Sequence, residues 1–231
     1  MLDRDRLFFY DRFAEHFDDK MNRYDLEKRL RVIFEDMLSE EELRGKRVLD
    51  AGCGTGWFSQ QAFIRGANVI SLDIGKHLLH QVKKKCSTDL VVGDICLLPF
   101  DNQSFDYVIS TEVIEHTPYP MRALGEMYRV LREGGVLILT VPNRLWHFSV
   151  IIANKLKLRP YEGYENWVGW QQLRKWMKKV GFQIMDMFGF HAIPFVSPYL
   201  FPLIDRLDRY GRSAGPLMLN IAVKGLCHSN T

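Results

Sequence analysis

The sequence is poor in the features that mark several protein classes. Among its 231 residues there are only four cysteines, Cys53, Cys86, Cys96 and Cys227, and they form no CxxC pair and no cluster with histidine. That spacing argues against a zinc scaffold or a disulfide framework and leaves reduced thiols in a cytoplasmic protein, with no metal site, as the expectation. No apolar run approaches the roughly 20 residues of a membrane-spanning helix, and the opening MLDRDRLFFYDRF is too charged for a signal peptide. There is no internal repeat and no low-complexity linker. Neither sign of charge dominates, since 31 basic residues face 28 acidic ones, and no basic stripe or RNA-binding module is evident, so no nucleic acid partner is expected. The distribution is less even: residues 143–231 carry 12 basic and 5 acidic side chains.

What is present is the balance of a folded domain, 47% hydrophobic and 26% charged, long enough for one full-sized core with or without a lid. Residues 8–38 show apolar positions at helical spacing, among them Phe9, Phe13, Phe17, Leu26, Leu30 and Ile33, and predict two helices. Strands are expected at 47–51, 68–73, 90–92, 105–110 and 136–141, with helices at 57–64, 76–85 and 121–131 between them. This alternation predicts an α/β fold, a mostly parallel sheet with helices on both faces. After Pro142 the rhythm changes. A helix over 167–180 precedes strands at 182–188 and 217–224, separated by an aromatic and proline-rich insert, 189–215, which predicts a final antiparallel strand pair.

The sharpest local signal is VLDAGCGTG, Val48 to Gly56. A strand delivers Asp50 to its end, and Gly52, Gly54 and Gly56 form a turn into a helix. Such glycines let backbone approach a ligand closely, and the free N–H groups of the helix beyond attract anions. Asp73 ends the next strand about 20 residues later, where a carboxylate can accept both hydroxyls of a ribose; a plain helix cap is the alternative. A nicotinamide or flavin dinucleotide site would space its glycines GxGxxG, whereas this loop reads GxGxG with Trp57 in the third position. Asp50 would repel a pyrophosphate and attract the ammonium of a methionine moiety, directly or through water. The balance falls to S-adenosylmethionine.

The segments VLDAGCGTG, ISLDI, VVGDICLLPFDNQSFDYVISTEVIEHTPYP and LGEMYRVLREGGVLILTVPN together resemble the class I methyltransferases dependent on S-adenosylmethionine, in particular the type 11, ubiquinone/menaquinone-biosynthesis-like family. The resemblance implies a Rossmann-like seven-stranded sheet over 46–231. It implies that the backbone at Ala51, Gly52 and Gly54 holds the methionine part and that Asp73 binds the ribose. Ile74 would pack on the adenine, Asp94 accept from its amino group, the Ile95 N–H meet the ring, and the Thr111 carbonyl lie near the sulfonium. Residues 1–45 resemble the N-terminal helical cap that closes over the cofactor, with Tyr10 the candidate site residue there. The product would be S-adenosylhomocysteine.

TEVIEHTPYP supplies the candidate chemistry. His116, of a residue type whose ordinary pKa lies near neutrality, can deprotonate a hydroxyl or amine nucleophile; packing against the cofactor or shaping the loop is the equal alternative, because methyl transfer needs mainly positioning. Acceptor contacts are expected from inserts 143–170 and 189–215, which carry Trp146, His147, Phe148, Tyr161, Tyr164, Trp167, Phe190, His191, Phe195, Tyr199, Phe201 and Tyr210. Together they read as a lid for a small-molecule acceptor. One reading takes that acceptor as hydrophobic, a quinone-, lipid- or polyprenyl-type molecule met peripherally at the inner face of a membrane through apolar and basic stretches such as SVIIANKLKLRP. The other is a soluble small molecule. A non-catalytic binding module of the same fold, or a dinucleotide oxidoreductase, are the competing functions, and oligomeric state is not written in the sequence.

Overall fold

The central strands are apolar on both faces, and the sheet follows from how each face finds cover. The computed structural model describes Arg6 and residues 8–155, 163–192 and 201–228. Its strands are β1 (Arg47–Ala51), β2 (Asn68–Asp73), β3 (Asp89–Val92), β4 (Phe105–Thr111), β5 (Leu131–Pro142), β6 (Phe182–Phe190) and β7 (Asn220–Cys227). They form one seven-stranded sheet in the order β3-β2-β1-β4-β5-β7-β6. Pairing is parallel from β3 through β5, and β7 runs antiparallel to both β5 and β6. The fold is therefore the mostly parallel, Rossmann-like sheet with an antiparallel pair at one end that the sequence implies. β7 is inserted between β5 and β6, so β6 is the edge strand. β7 begins at Asn220, later than the 217 that the apolar pattern suggested, because Gly215–Leu217 winds into a 3₁₀ turn.

The period of two sorts the core into layers. Leu49, Val108, Leu137 and Val223 face one side, where the helices Pro120–Val130 and Trp170–Val180 bury Leu124, Met127, Leu173 and Met177 against them. Val48, Ile109, Ile138 and Ala222 face the other, under the helix Trp57–Ile64 and the N-terminal residues Leu26, Val32, Ile33 and Phe34. Burying such residues is worth about 1.5–3 kcal/mol per large side chain.

The N-terminal region is more broken than two helices. A 3₁₀ segment, Tyr10–His16, runs into the short helix Phe17–Lys20, and the chain extends at Met21. Asn22 then accepts the Asp25 N–H and caps the helix Arg23–Arg31, which widens into a π-turn over Val32–Met37. Asparagine at a helix N-cap competes for backbone donors and so sets the break. Insert 143–170 opens with the turn Arg144–Trp146 and the helix His147–Lys155; insert 189–215 contains the helix Phe201–Asp208.

Chain order runs outward from β1 to β3 and then returns to place β4 beside β1. The carboxyl ends of β1, β2 and β4 thus meet at the point where the order reverses, the position at which open α/β sheets bind ligands.

Candidate active site

The glycine turn leaves β1 at that reversal. Gly52, Gly54 and Gly56 have φ of 82°, 53° and 90°, in the left-handed region that favours glycine. They differ in what surrounds them. A Cβ on Gly52 would collide with Val113, and one on Gly56 would come within 2.9 Å of Val82, whereas a Cβ on Gly54 would meet nothing within 4 Å. Gly52 and Gly56 are thus glycine for packing, and Gly54 presents bare backbone to open ground. The Gly52 and Cys53 N–H groups donate to the Leu72 carbonyl at 2.8 and 2.9 Å and fix the turn to β2.

Asp73 is buried at the end of β2. Its Oδ2 accepts the Gly54 N–H at 2.9 Å and its Oδ1 the Gly75 N–H at 2.8 Å, so one carboxylate ties the glycine loop to the loop after β2. Burial raises its pKa to about 6, against the pull of those backbone donors. Asp50 is only 1% exposed, and its Oδ2 accepts the Ser59 hydroxyl at 2.6 Å, at the head of a chain running on to Ser71 and Thr88. Burial lifts it to about 7, with the Asp73 charge adding to the rise. Asp94 is half-buried and turns Oδ1 to the Cys96 N–H at 2.8 Å; Ile95 beside it is buried and Ile74 half-buried. Thr111 ends β4, buried, and Ala51 ends β1 with its carbonyl accepting the Ser110 hydroxyl at 2.9 Å. Ala51, Gly52, Gly54, Asp73, Ile74, Asp94, Ile95 and Thr111 therefore all fall on one sheet edge. Asp50 lies just behind it.

His116 and Tyr10, 106 residues apart, meet on the same edge. The His116 Nδ1 lies 2.9 Å from the Tyr164 carbonyl, an acceptor only, so Nδ1 carries the proton and Nε2 bears the lone pair. The Tyr10 hydroxyl is 3.4 Å from that Nε2, with the rings edge to face. Glu115 Oε1 stands 3.8 Å from Nε2, on a side chain 1% exposed.

Behind His116 is a group of buried charges that sequence reasoning did not assemble. Arg29 pairs with Asp25 at 2.8 Å, and Asp25 lies 3.2 Å from the Nδ1 of His191. Arg29 also faces Glu112 and Glu115, whose Oε1 and Oε2 respectively are buried without a hydrogen-bond partner among the described residues. Burial pushes both glutamates up; the Glu112 charge adds to the rise at Glu115, and Arg29 opposes it at each. Glu112 adopts φ 53°, unusual for a residue with a side chain and common where a fold stores strain at a site.

Two N-terminal acids, also missed, fasten the region before the sheet onto these loops. Asp18 takes the Thr55 hydroxyl at 2.6 Å, the Trp57 indole N–H at 3.1 Å and the Lys85 ammonium at 2.6 Å. Asp11 Oδ1 accepts the backbone N–H of His77 at 2.8 Å and of Leu78 at 3.2 Å, and so caps the helix Lys76–Val82 from another part of the chain. No local signal marks either residue, because each partner is 37 or more positions away.

The aromatic inserts divide. The Tyr164 carbonyl reaches His116, and Trp167 packs on His147 with ring centroids 5.2 Å apart. Phe190 joins the core, and Phe201 stacks on Tyr24 at 3.7 Å. Tyr161, Phe195 and Tyr199 lie outside the described residues. A cavity of about 240 Å³ lined by Lys28, Phe188 and Arg212, and another of about 280 Å³ beside Asn68 and Asp89, lie away from the glycine loop.

Comparison with known proteins agrees with this geometry. Residues 49–139 match the family model described as a methyltransferase domain. The chain is 30% identical over 169 residues to the ubiquinone biosynthesis O-methyltransferase of Nitrosococcus oceani, covering 68% of this chain and 72% of that protein. It is 28% identical over 163 residues to the protein of the same name from Coxiella burnetii, covering 66% and 70%. Among solved structures, one from the complex between the Haloferax volcanii Trm112 methyltransferase activator and a methyltransferase superposes with a TM-score of 0.68 at 18% identity, over 99% of this chain and 98% of that one. By these matches the chain belongs to the class I S-adenosylmethionine-dependent methyltransferases of type 11.

Proposed function

We propose that this enzyme methylates a hydroxyl of a hydrophobic small molecule, a quinone-, lipid- or polyprenyl-type acceptor, with His116 as general base. The observation that carries the reading is the orientation of His116. The Tyr164 carbonyl holds the proton on Nδ1, so the basic Nε2 points toward Tyr10 on the ligand-binding edge.

The residues present suit the cofactor. Gly54 offers uncovered backbone, Ala51 and Gly52 continue it, and Asp73 stands at the strand end where a ribose is bound. Ile74, Asp94 and Ile95 would take the adenine, and the Thr111 carbonyl the sulfonium side. Asp50, its Oδ2 committed to Ser59, would act on the ammonium through its charge. When bound, S-adenosylmethionine supplies an electrophilic methyl carbon. The acceptor oxygen would take that methyl carbon as its bond to sulfur breaks and S-adenosylhomocysteine leaves, and the hydroxyl proton would pass to the His116 Nε2. Glu115 Oε1 lies 3.8 Å from that nitrogen, its carboxyl pushed toward the neutral form by burial. Tyr10 orients the acceptor through its hydroxyl.

The hydroxyl acceptor is supported by the O-methyltransferase relatives, and its apolar character by the aromatic inserts. In this reading 1–45 is a cap over the cofactor, and 143–170 with 189–215 is the acceptor lid. No helix among the described residues is long and apolar enough to cross a membrane, so a lipid-borne acceptor would be met at the surface.

Isothermal titration tests the cofactor: S-adenosylmethionine and S-adenosylhomocysteine should bind and raise the melting temperature, and NAD(H) should not. Absence of heat with both sulfur ligands removes the central claim. Transfer of a labelled methyl group to a panel of phenols, catechols and soluble amines then tests the acceptor class. Labelling of amines alone overturns it.

A further inference from the structure

The turn that carries His116 lacks donors of its own. Ile114–His116 is a single 3₁₀ turn, closed by the His116 N–H on the Val113 carbonyl at 2.9 Å. The chain then reads Thr117, Pro118, Tyr119, Pro120. A further turn bond to the Glu115 carbonyl would have to come from Pro118, and one to the Thr117 carbonyl from Pro120. Proline has no N–H to give. Glu115 and Thr117 are both buried, and a buried carbonyl left without a donor is costly, so the donors must come from elsewhere in the chain.

One residue serves both. The Asn166 backbone N–H donates to the Glu115 carbonyl at 2.7 Å, and its side-chain Nδ2 donates to the Thr117 carbonyl at 2.5 Å. Two residues earlier on the same segment, the Tyr164 carbonyl accepts from the His116 Nδ1. Glu115, His116 and Thr117 are thus each tied to the strap 164–166. A carbonyl only accepts, so Thr117 requires a donor from the side chain at 166, and an aspartate carboxylate of the same shape offers none. The strap is anchored at both ends. Val168, fully buried, bridges Asn143 and accepts the Arg144 N–H at 3.2 Å. At the other end Arg6 donates to the Gly163 carbonyl at 3.1 Å and lays its guanidinium over the Tyr164 ring, 4.7 Å from the centroid. Asn166 itself is exposed and outside the hydrophobic core, so packing does not account for an asparagine there.

We infer that Asn166 is a positioning residue for His116. By holding the carbonyls on both sides of the histidine, it keeps the Tyr164 carbonyl in register with Nδ1 and so keeps the lone pair on Nε2. The inference rests on the reading of His116 as the base and names what aims it. Without the tie the imidazole relaxes toward a mixture of tautomers, and the Nε2–H form cannot take a proton from the acceptor.

The first test needs no acceptor. In the full chain, isotope-labelled at the histidine ring nitrogens and held at a pH where imidazole is neutral, the nuclear magnetic resonance signals of His116 are those lost in H116Q. Wild type should show an Nδ1–H imidazole. N166A and N166D should each raise the ratio of Nε2–H to Nδ1–H about tenfold, the scale of one lost hydrogen bond. A wild-type spectrum in both variants overturns the inference. So does a change in N166D alone, because the added charge and not the missing donor would be its cause. Calorimetric affinity for S-adenosylhomocysteine should be unchanged in both variants, which shows the fold intact; wild type that binds none defeats the methyltransferase reading and leaves the tautomer result valid. With an acceptor in hand, N166A should lower kcat about tenfold at unchanged KM for S-adenosylmethionine, and should have no further effect in H116A. An equal loss in the H116A background overturns the inference, since Asn166 would then act by another route. A tautomer shift with kcat unchanged leaves the hold on His116 standing and removes the general base.

Discussion

Asp50→Asn should make the ligand-free enzyme more stable and a poorer binder. Asp50 is buried, carries no cationic partner, and has its pKa lifted from the ordinary 3.8 to about 7 by burial and by Asp73. The folded state therefore keeps the proton that the unfolded chain gives up near pH 4. Ionisation works against the fold over that window, and the wild type loses stability as pH rises from about 4 to about 7. At about 1.4 kcal/mol per pKa unit, the loss is roughly 4 kcal/mol, an upper bound because the carboxyl shares its environment with Asp73. Asparagine does not titrate and still offers the Ser59 hydroxyl an oxygen acceptor. Melting curves at pH 4 and pH 8 should show the gap between Asp50→Asn and wild type widening by about 2–4 kcal/mol, or about 4–16 °C at this chain length. The same charge is proposed to attract the cofactor's ammonium, so the variant should bind S-adenosylhomocysteine about tenfold more weakly, a loss of roughly 1.4 kcal/mol. A gap that stays constant between the two pH values would refute the burial argument, and unchanged affinity would remove Asp50 from the ligand's field.

Asp73→Ala strips two charge-assisted hydrogen bonds from the Gly54 and Gly75 N–H groups, and cofactor affinity by titration should fall by about 1–3 kcal/mol with the circular dichroism spectrum intact. Gly54→Val, which places a branched side chain on the uncovered backbone at φ 53°, should abolish that binding. His116→Ala should lower kcat by about 10²–10⁴ and erase the fall in rate toward acid pH at unchanged cofactor affinity; near-native kcat would leave positioning as the whole of catalysis. Asp18→Ala removes the contacts to Thr55, Trp57 and Lys85 and should speed proteolysis around residues 17–22 without lowering the melting temperature by more than about 4 °C.

How much of this was legible beforehand depends on distance along the chain. β1, its glycine turn and Asp73 are readable because strand, turn and acid lie within 26 residues and each has a local steric reason. The antiparallel end of the sheet was also readable, from the missing crossover helix after Phe182–Phe190. Its interleaving was not, because only long-range pairing places β7 between β5 and β6. The breaks among the N-terminal helices hid behind an unbroken apolar period, and Asn22 decided them. At the site, the type of His116 was visible but its tautomer was not, since that is set by a backbone carbonyl 48 residues away. Arg29 and Asp25 carry no local signal that joins them to the insert residue His191, yet the three meet in one chain of contacts. Asp11 and Asp18 have, among the described residues, no partner close in sequence that would mark them. Each serves instead as a cap or clamp for a distant loop.

Those two clamps bear on the tempo of turnover. Through Asp11, Asp18 and Tyr10, one stretch of chain touches the loop after β2, the glycine turn and His116. In the reading proposed here, spent cofactor leaves only when that stretch lifts, and lifting it breaks the Asp18–Lys85 ion pair and the Asp11 cap on Lys76–Val82. Release of product, rather than methyl transfer, would then set the maximal rate, as it does in many enzymes with closing segments. Added salt screens partly exposed pairs such as Asp18 with Lys85, so moderate ionic strength should quicken release before it weakens capture.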